Sequence, residues 1–449
     1  MTSNRTMEPL TIYQRPVELL QSLIRFDTTN PPGNEKACID FIDSLLTAAG
    51  FQTKIIAKDP ARPNLLARLE GTGDEPPLLL QGHVDVEKAY SEHWQCPPFE
   101  GKILDGWVWG RGALDMKGGV AMMLSAFLRA KAEGLKPCGD IILALLSDEE
   151  TGGKLGARYL VENHAEEFAG VRHAIGEFGG FPFYFGKKKF YQVQVTEKQI
   201  SQIKVTLRGP DGYAMFLPPK GNVNATLGRL LVKLDQQCLP VHITPVARTM
   251  MEMMSSALPF PGSLLFRLLL KPKFTDLVLK LLGEKGRTLH PLFHNNAHIV
   301  RIEGGQTDTL SIPNTLEFHL KPCILPGYTP DDMINELKQC MGAEADFEVL
   351  RYDKVLDVPD MSLYDMLAQI LKEEDPEGIS MPFLLPTSTD GKNFARLGIQ
   401  TYGFLPMDLP PDFTFTKSLH AHDERIPVKA VEFGARALYK VLERYGRAS

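Results

Sequence analysis

Leu78-Leu79-Leu80-Gln81-Gly82-His83-Val84-Asp85 is an apolar run that reads as a buried strand. It closes in a glycine turn that presents a histidine and, two residues later, a carboxylate. Taken singly this is an ordinary strand end. It gains chemical meaning because further ligand-type residues stand at the ends of other expected strands: Asp115, the pair Glu149-Glu150, Glu177 and His420. Two imidazoles and several carboxylates gathered on one rim are what a pair of divalent metal ions requires.

Working outward, residues 17–25 and 35–49 have helical periodicity and flank the turn-rich Asp27-Thr28-Thr29-Asn30-Pro31-Pro32-Gly33-Asn34. Strands are expected at 52–56, 64–69, 77–81, 140–146 and 173–176, with helices at 116–132 and 157–163 between them. Strands alternating with helices predict an α/β sheet covered on both faces. After residue 195 the pattern changes. Segment 199–207 alternates through Ile200, Ile203, Val205 and Leu207, residues 222–236 form an amphipathic helix, and 298–303, 315–321 and 347–352 alternate again around a helix at 330–340. Residues 196–353 therefore read as an inserted α+β domain that splits a catalytic domain into 1–195 and 354–449. Inside the insert, 241–293 is rich in Met, Leu and Phe and punctuated by prolines.

With 449 residues the chain exceeds what one hydrophobic core usually covers. Its net charge of −6 offers no basic stripe for phosphates, which argues against a nucleic-acid partner. The six cysteines (Cys38, Cys96, Cys138, Cys238, Cys323 and Cys340) form no CxxC pair and read as reduced thiols. The first ten residues are polar and lack the apolar core of a secretory signal. The strongest membrane candidate, 258–270, is interrupted by Pro259, Pro261, Gly262 and Arg267 and is shorter than the ~20 residues a span needs. A soluble cytoplasmic protein without a membrane partner is expected.

Each candidate residue has a plain reading beside the chemical one. Asp85 can hold the second ring nitrogen of His83, as metal-binding imidazoles usually require, or be an unrelated turn aspartate. Asp115, between the glycines of Gly110-Arg111-Gly112-Ala113-Leu114-Asp115-Met116-Lys117-Gly118-Gly119, is either a fixed carboxylate or a helix N-cap, and the two roles are compatible. The cluster Asp148-Glu149-Glu150 follows an apolar strand, where unpaired charges are costly and a cation or a helix N-terminus would relieve them. Adjacent glutamates can divide the work, one binding metal while the other moves a proton. His420 and His422, in Leu419-His420-Ala421-His422-Asp423-Glu424-Arg425, compete for one role.

Taken in order, Gly82-His83-Val84-Asp85-Val86, the glycine-flanked Asp115 motif, Asp148-Glu149-Glu150-Thr151-Gly152-Gly153 and the His420 motif resemble those of the M20 family of dimetal amidohydrolases. That family includes aminoacylases, di- and carboxypeptidases and N-acyl deacylases, and the resemblance covers nearly the whole chain. It implies a zinc-peptidase-like catalytic domain with a mixed central sheet flanked by helices, plus an inserted α+β lid. It also implies one ion held by His83, Asp115 and Glu177 and a second held by Asp115, Glu150 and His420. Asp115 would bridge them and be followed by a cis peptide, with Glu149 as general base and Asp85 orienting His83. His420 is preferred over His422 because the family ligand lies four positions before the glutamate, here Glu424. Zinc is the expected metal, with cobalt or manganese possible for so many carboxylates. The implied reaction is hydrolysis of an amide or peptide bond in a small substrate.

The chain also departs from the family pattern. The lid histidine that follows a glycine is replaced by Tyr213, which either donates one hydrogen bond to an oxyanion or packs as a surface tyrosine. Leu310 stands for an asparagine and Cys323 for an arginine, with Lys321 two residues away as a substitute. Lys392 replaces the arginine of the Ser-Thr-Asp-x-Arg motif, exchanging a bidentate grip on a carboxylate for a point charge. These changes undercut a simple carboxypeptidase substrate; N-acyl amino acids or related hydrophobic amides are the first expectation, a dipeptidase or carboxypeptidase of the same family the second, and a non-catalytic binding protein on this scaffold the third. The methionines and leucines of 250–270 either line an apolar pocket or fill the lid core. Without the lid histidine, a homodimer through the lid and a monomer are both compatible with the sequence.

Overall fold

The computed structural model describes residues 9–210, 212–213, 220–236, 239–304, 311–341 and 345–447. The chain divides into two compact units. The first comprises Met1–Val195, Pro359–Phe383 and Thr389–Ser449, and the second comprises Thr196–Val358 and Leu384–Ser388.

In the first unit the apolar runs become the centre of a mixed sheet. Ile141–Leu146, Leu78–His83, His173–Gly176 and Gln400–Gly403 lie side by side and parallel. Asn64–Leu69 and Thr53–Ile56 extend one edge antiparallel, and Lys188–Glu197 joins the other edge antiparallel. Every residue of Leu78–His83 and Ile141–Leu146 is buried, as expected of strands covered on both faces. On one face the almost wholly buried helix Lys117–Ala132 packs against Val428–Arg444 and Pro16–Ile24. Alternate strand residues (Leu79, Ile142, Ala144 and Leu146) pack instead with Leu160, Val161 and Phe394.

The register positions the chemistry. Leu78 pairs with Ile141 and His83 with Leu146, so the two strands end level. Ser147 to Glu150 therefore follow Leu146 at the rim where His83 stands, and Glu177 follows the parallel neighbour His173–Gly176. Ligands in such sheets gather beyond the carboxyl ends of the strands.

The second unit is an antiparallel sheet in the order Asn296–Glu303, Thr315–Ile324, Gln199–Arg208, Ala345–Asp353. Leu227 and Leu230 of Val223–Asp235, with Leu337 of Pro330–Met341, cover Ile203, Val205, Leu207, Phe318 and Leu320. The alternation expected from Ile200 onward is broken by a register shift at Gln202/Ile203, so Ser201 is buried and Ile200 only half-buried.

The proline-punctuated stretch folds into the helices Pro245–Ala257, Gly262–Leu269, Pro272–Leu281 and Glu284–Leu289. Pro245 and Pro272 stand in the first turn, where a missing N–H costs nothing, and Thr244 caps the first helix by accepting from the Ala247 N–H. Met250, Met251 and Met254 are buried side chains of this helical block, so they pack as core.

Cys38, Cys96, Cys138 and Cys323 are free thiols, but Cys340 is disulfide-bonded. The expectation of six reduced cysteines is corrected: spacing along the chain does not restrict which thiols folding brings together. Among the described residues no helix is long and apolar enough to cross a membrane.

Candidate metal centre

His83 is buried at the end of its strand, and each ring nitrogen faces a different group. Nδ1 lies 3.0 Å from the Asp85 carbonyl oxygen and 3.4 Å from Asp85 Oδ1. Nε2 lies 3.1 Å from Asp115 Oδ1 and 3.5 Å from Glu177 Oε2. Holding Nδ1 in this way aims the Nε2 lone pair at a metal position. Asp85 does more than orient the ring, because its carboxylate also accepts the N–H groups of Glu149 and Glu150 at 3.1 Å each and Asn30 Nδ2 at 2.8 Å. Burial opposes its charge, yet His83, Asn30 and the Glu150 N–H hold its carboxyl below the usual range.

The glycine-rich turn before Asp115 is fixed from the far end of the chain. Fully buried Glu424 accepts the N–H groups of Leu114 at 2.7 Å, Asp115 at 3.1 Å and Gly112 at 3.2 Å, and pairs with Arg111 Nη1 at 2.7 Å. The Asp115–Met116 peptide is cis, as the resemblance implies. Asp115 then presents one oxygen to each imidazole: Oδ1 to His83, and Oδ2 to His420 Nε2 at 2.9 Å. His420 Nε2 is also 3.4 Å from Glu150 Oε2.

The glutamate turn after Ile141–Leu146 is held by Asp148, which adopts a left-handed backbone at φ 71°. Its carboxylate pairs with Arg62 at 3.1 Å and accepts the Leu155 N–H at 3.0 Å, while Arg62 also grips the fully buried Glu35. With the turn so fixed, both glutamates reach the cluster. Ligand atoms lie within 4.8 Å of one another in the groups His83–Glu149–Glu177, His83–Asp115–Glu150 and Glu87–Glu150–His420.

So many buried carboxylates cannot all ionise without compensation. Burial and the neighbouring Asp115 push Glu150 up to about 10, burial and Glu149 raise Glu177, and burial raises Glu149. Burial and Glu149 bring Asp390 up to about 7. The nearby cation is Lys392, 3.8 Å from Glu149 Oε1. Two imidazoles with carboxylates at this spacing are a donor set that suits divalent zinc-class ions, whose charge would relieve the repulsion. The residues present therefore fit the implied metals.

His83, Asp85, Asp115, Glu149, Glu150, Glu177 and His420, picked out in the sequence, thus come together within the first unit, and Lys392 joins them. His422 does not; its ring packs 4.9 Å from that of His93. Tyr213 and Lys321 belong to the second unit. Tyr213 pairs with Ser311 in a two-residue ribbon, and Lys321 stands exposed opposite His298. Leu310 lies outside the described residues. Sequence reasoning overlooked Asn30, Glu87, Arg111 and Asp390 and used Glu424 only as a position marker. Glu424 sits in the same motif as His420, and that proximity was the available signal.

The profile of peptidase family M20/M25/M40 matches residues 79–444. The human N-fatty-acyl-amino acid synthase/hydrolase PM20D1 is 25% identical over 390 residues, covering 83% of this chain and 75% of its own. Among solved structures, a metallo-carboxypeptidase of the family from Sulfolobus solfataricus superposes with TM-score 0.65 at 15% identity, covering 96% of this chain and 99% of its own. A dinuclear metal-binding peptidase of the family from Bacillus subtilis gives TM-score 0.57 at 11% identity, covering 96% and 98%. At these identities the two structures speak for the fold alone, whereas the profile spans most of the chain. The chain belongs to peptidase family M20/M25/M40 and is a hydrolase of amide bonds.

Proposed function

We propose that the substrates are N-acyl amino acids or related hydrophobic amides, cleaved at a centre of two divalent ions, zinc by preference and cobalt or manganese as alternatives. The observation that carries this reading is the Asp115 carboxylate, which offers one oxygen to each of two imidazoles at 3.1 and 2.9 Å with Glu149 in the same cluster. His83, Asp115 and Glu177 hold one ion; Asp115, Glu150 and His420 hold the other. When bound, the ions supply the positive charge that acidifies a water molecule and polarises the scissile carbonyl. Glu149, raised above the ordinary carboxylate range by burial, accepts the water's proton and passes it to the departing amine. Asp85 keeps His83 and the two glutamate N–H groups in register. Lys392 offers a point charge to a substrate carboxylate beside Glu149.

The acyl preference draws on the similarity to the human N-fatty-acyl-amino acid synthase/hydrolase and on the lysine at the arginine position. A dipeptidase or carboxypeptidase activity uses the same chemistry, and a homodimer through the second unit and a monomer both accommodate it. One substrate series separates the readings, crossing acyl length with the presence of a free carboxylate and adding dipeptides with free amino termini. On this account kcat/KM climbs with acyl length, and Glu149→Gln lowers turnover at least ~10²-fold in every case while retaining bound metal. A flat acyl series with efficient dipeptide cleavage would replace the acyl reading by the dipeptidase one. Near-normal turnover in the Gln variant would remove Glu149 from its role.

A further inference from the structure

The helix Pro272–Leu281, within the second unit, buries Thr275, Val278 and Leu279 but turns three large apolar side chains outward. Phe274, Leu277 and Leu281 are 47%, 56% and 70% exposed. At 3.6 residues per turn their spacing puts them within about 60° of one another around the axis, so they form a stripe. The outer face of a surface helix is ordinarily polar, and a stripe of this size calls for an occupant. The preceding helix Gly262–Leu269 exposes Leu264, and the turn before it exposes Phe260 at 79%.

Positive charge is concentrated in the same segment. Residues 258–289 carry Arg267, Lys271, Lys273, Lys280, Lys285 and Arg287 against only Asp276 and Glu284, in a chain whose net charge is −6. All six cations are exposed. Lys273 and Lys280 stand roughly 40–60° beyond Leu277 along one flank of the stripe, and Asp276 lies farther round that flank. Asp276 is also turned to a neighbour, its Oδ1 3.0 Å from His294 Nε2. Lys280 and Arg287 line an open cavity of about 430 Å³ together with Asp276 and His290.

Apolar side chains flanked by long cationic ones are what lets a helix lie in the plane of a membrane surface. The apolar edge enters the acyl boundary while Lys and Arg reach back to the headgroup phosphates. Such a helix lies on the bilayer and does not cross it, so the want of a spanning helix among the described residues has no bearing here. A second copy of the chain fits the stripe less well, because a two-fold contact would press two segments of like positive charge together.

We propose that the outer face of Pro272–Leu281 docks on an anionic phospholipid surface, with Phe274, Leu277 and Leu281 in the acyl boundary and Lys273, Lys280 and Arg287 on lipid phosphates. The docking face revises the expectation of no membrane partner, which weighed spanning segments alone. It is independent of the hydrolytic centre and of the substrate assigned to it.

The test mixes the full chain with vesicles of phosphatidylcholine alone or of phosphatidylcholine and phosphatidylglycerol in equal parts, and reads binding by co-sedimentation. The docking face predicts binding to the mixed vesicles at least ~10-fold tighter than to the neutral ones, weakening as salt rises. Leu277→Asp with Leu281→Asp, and separately Lys273→Glu with Lys280→Glu, should each weaken that binding at least ~10-fold, since one cation near an anionic surface contributes about fivefold. All four positions are exposed, so melting temperature and hydrolysis of a water-soluble amide stay close to those of the parent protein in both variants. No binding to the mixed vesicles, or binding that either pair of substitutions leaves unchanged, would overturn the proposal. A dimer that dissociates in the Leu277→Asp, Leu281→Asp variant, without vesicle binding by the parent protein, would also overturn it and assign the stripe to a second copy. Hydrolysis is measured on every variant, so failure of the docking face is distinguishable from failure of the catalytic reading.

Discussion

Asparagine in place of Asp85 keeps the shape of the side chain and removes its charge and one acceptor. The carboxylate now receives three donors, the N–H groups of Glu149 and Glu150 and the Asn30 amide, and also faces His83 Nδ1. An amide has a single oxygen, so at least one buried donor is left facing an NH2 group. An unsatisfied buried group costs about 1–3 kcal/mol, and weakening of the remaining charge-assisted bonds adds roughly 1 kcal/mol. A loss of about 2–4 kcal/mol in unfolding free energy is therefore expected, together with a ~10–100-fold fall in metal affinity or kcat/KM, as is usual when the partner of a ligand histidine is removed. The effect has a defined pH signature. Because the folded pKa of Asp85 is lowered, its stabilisation is complete above the unfolded value near about 4 and disappears as pH falls through the folded value. The difference between parent and variant should accordingly shrink at low pH. Urea unfolding across pH, with zinc affinity from chelator competition, measures both quantities. A variant within 0.5 kcal/mol of the parent, by roughly the usual scatter of neutral surface changes, and within twofold in zinc affinity would refute the reasoning.

Lys392→Met removes the cation that holds Glu149 down against burial, so the acid limb of the kcat/KM profile should move to higher pH; an unmoved limb would separate Lys392 from the proton transfer. Glu424→Ala leaves Arg111 buried without its carboxylate and frees three N–H groups of the Asp115 turn. Breaking a buried pair from one side costs about 3–5 kcal/mol, which urea unfolding would register, and a loss below about 1 kcal/mol would contradict the pairing.

Much of the rim was legible because its signals are local. Leu78–His83 and Ile141–Leu146 are unbroken apolar runs that stop at polar turns, and the residues that follow them carry the chemistry. The hairpin of Phe181–Phe185 and Lys188–Glu197 was not legible. Its lysines look like a solvated run, yet Lys189 pairs with Asp375 and Asp408, residues supplied from far along the chain. Asn30 and Glu424 escaped for the same reason: their partners lie 55 and 309 residues away, and no periodicity encodes such contacts. Prolines 245 and 272 looked like interruptions of structure when they in fact begin helices. The three-residue strands Lys102–Leu104, Trp107–Trp109 and Arg425–Pro427 are too short to show an alternating pattern.

The central claim is that Asp115 stands between two ions, one held with His83 and Glu177 and the other with Glu150 and His420. Anomalous scattering from a crystal of the zinc-loaded protein tests it directly. The account predicts two peaks in the first unit about 3.5–4 Å apart, each touching one Asp115 oxygen, with Glu149 bound to neither. A single peak, or peaks that leave Asp115 uncoordinated, would contradict it.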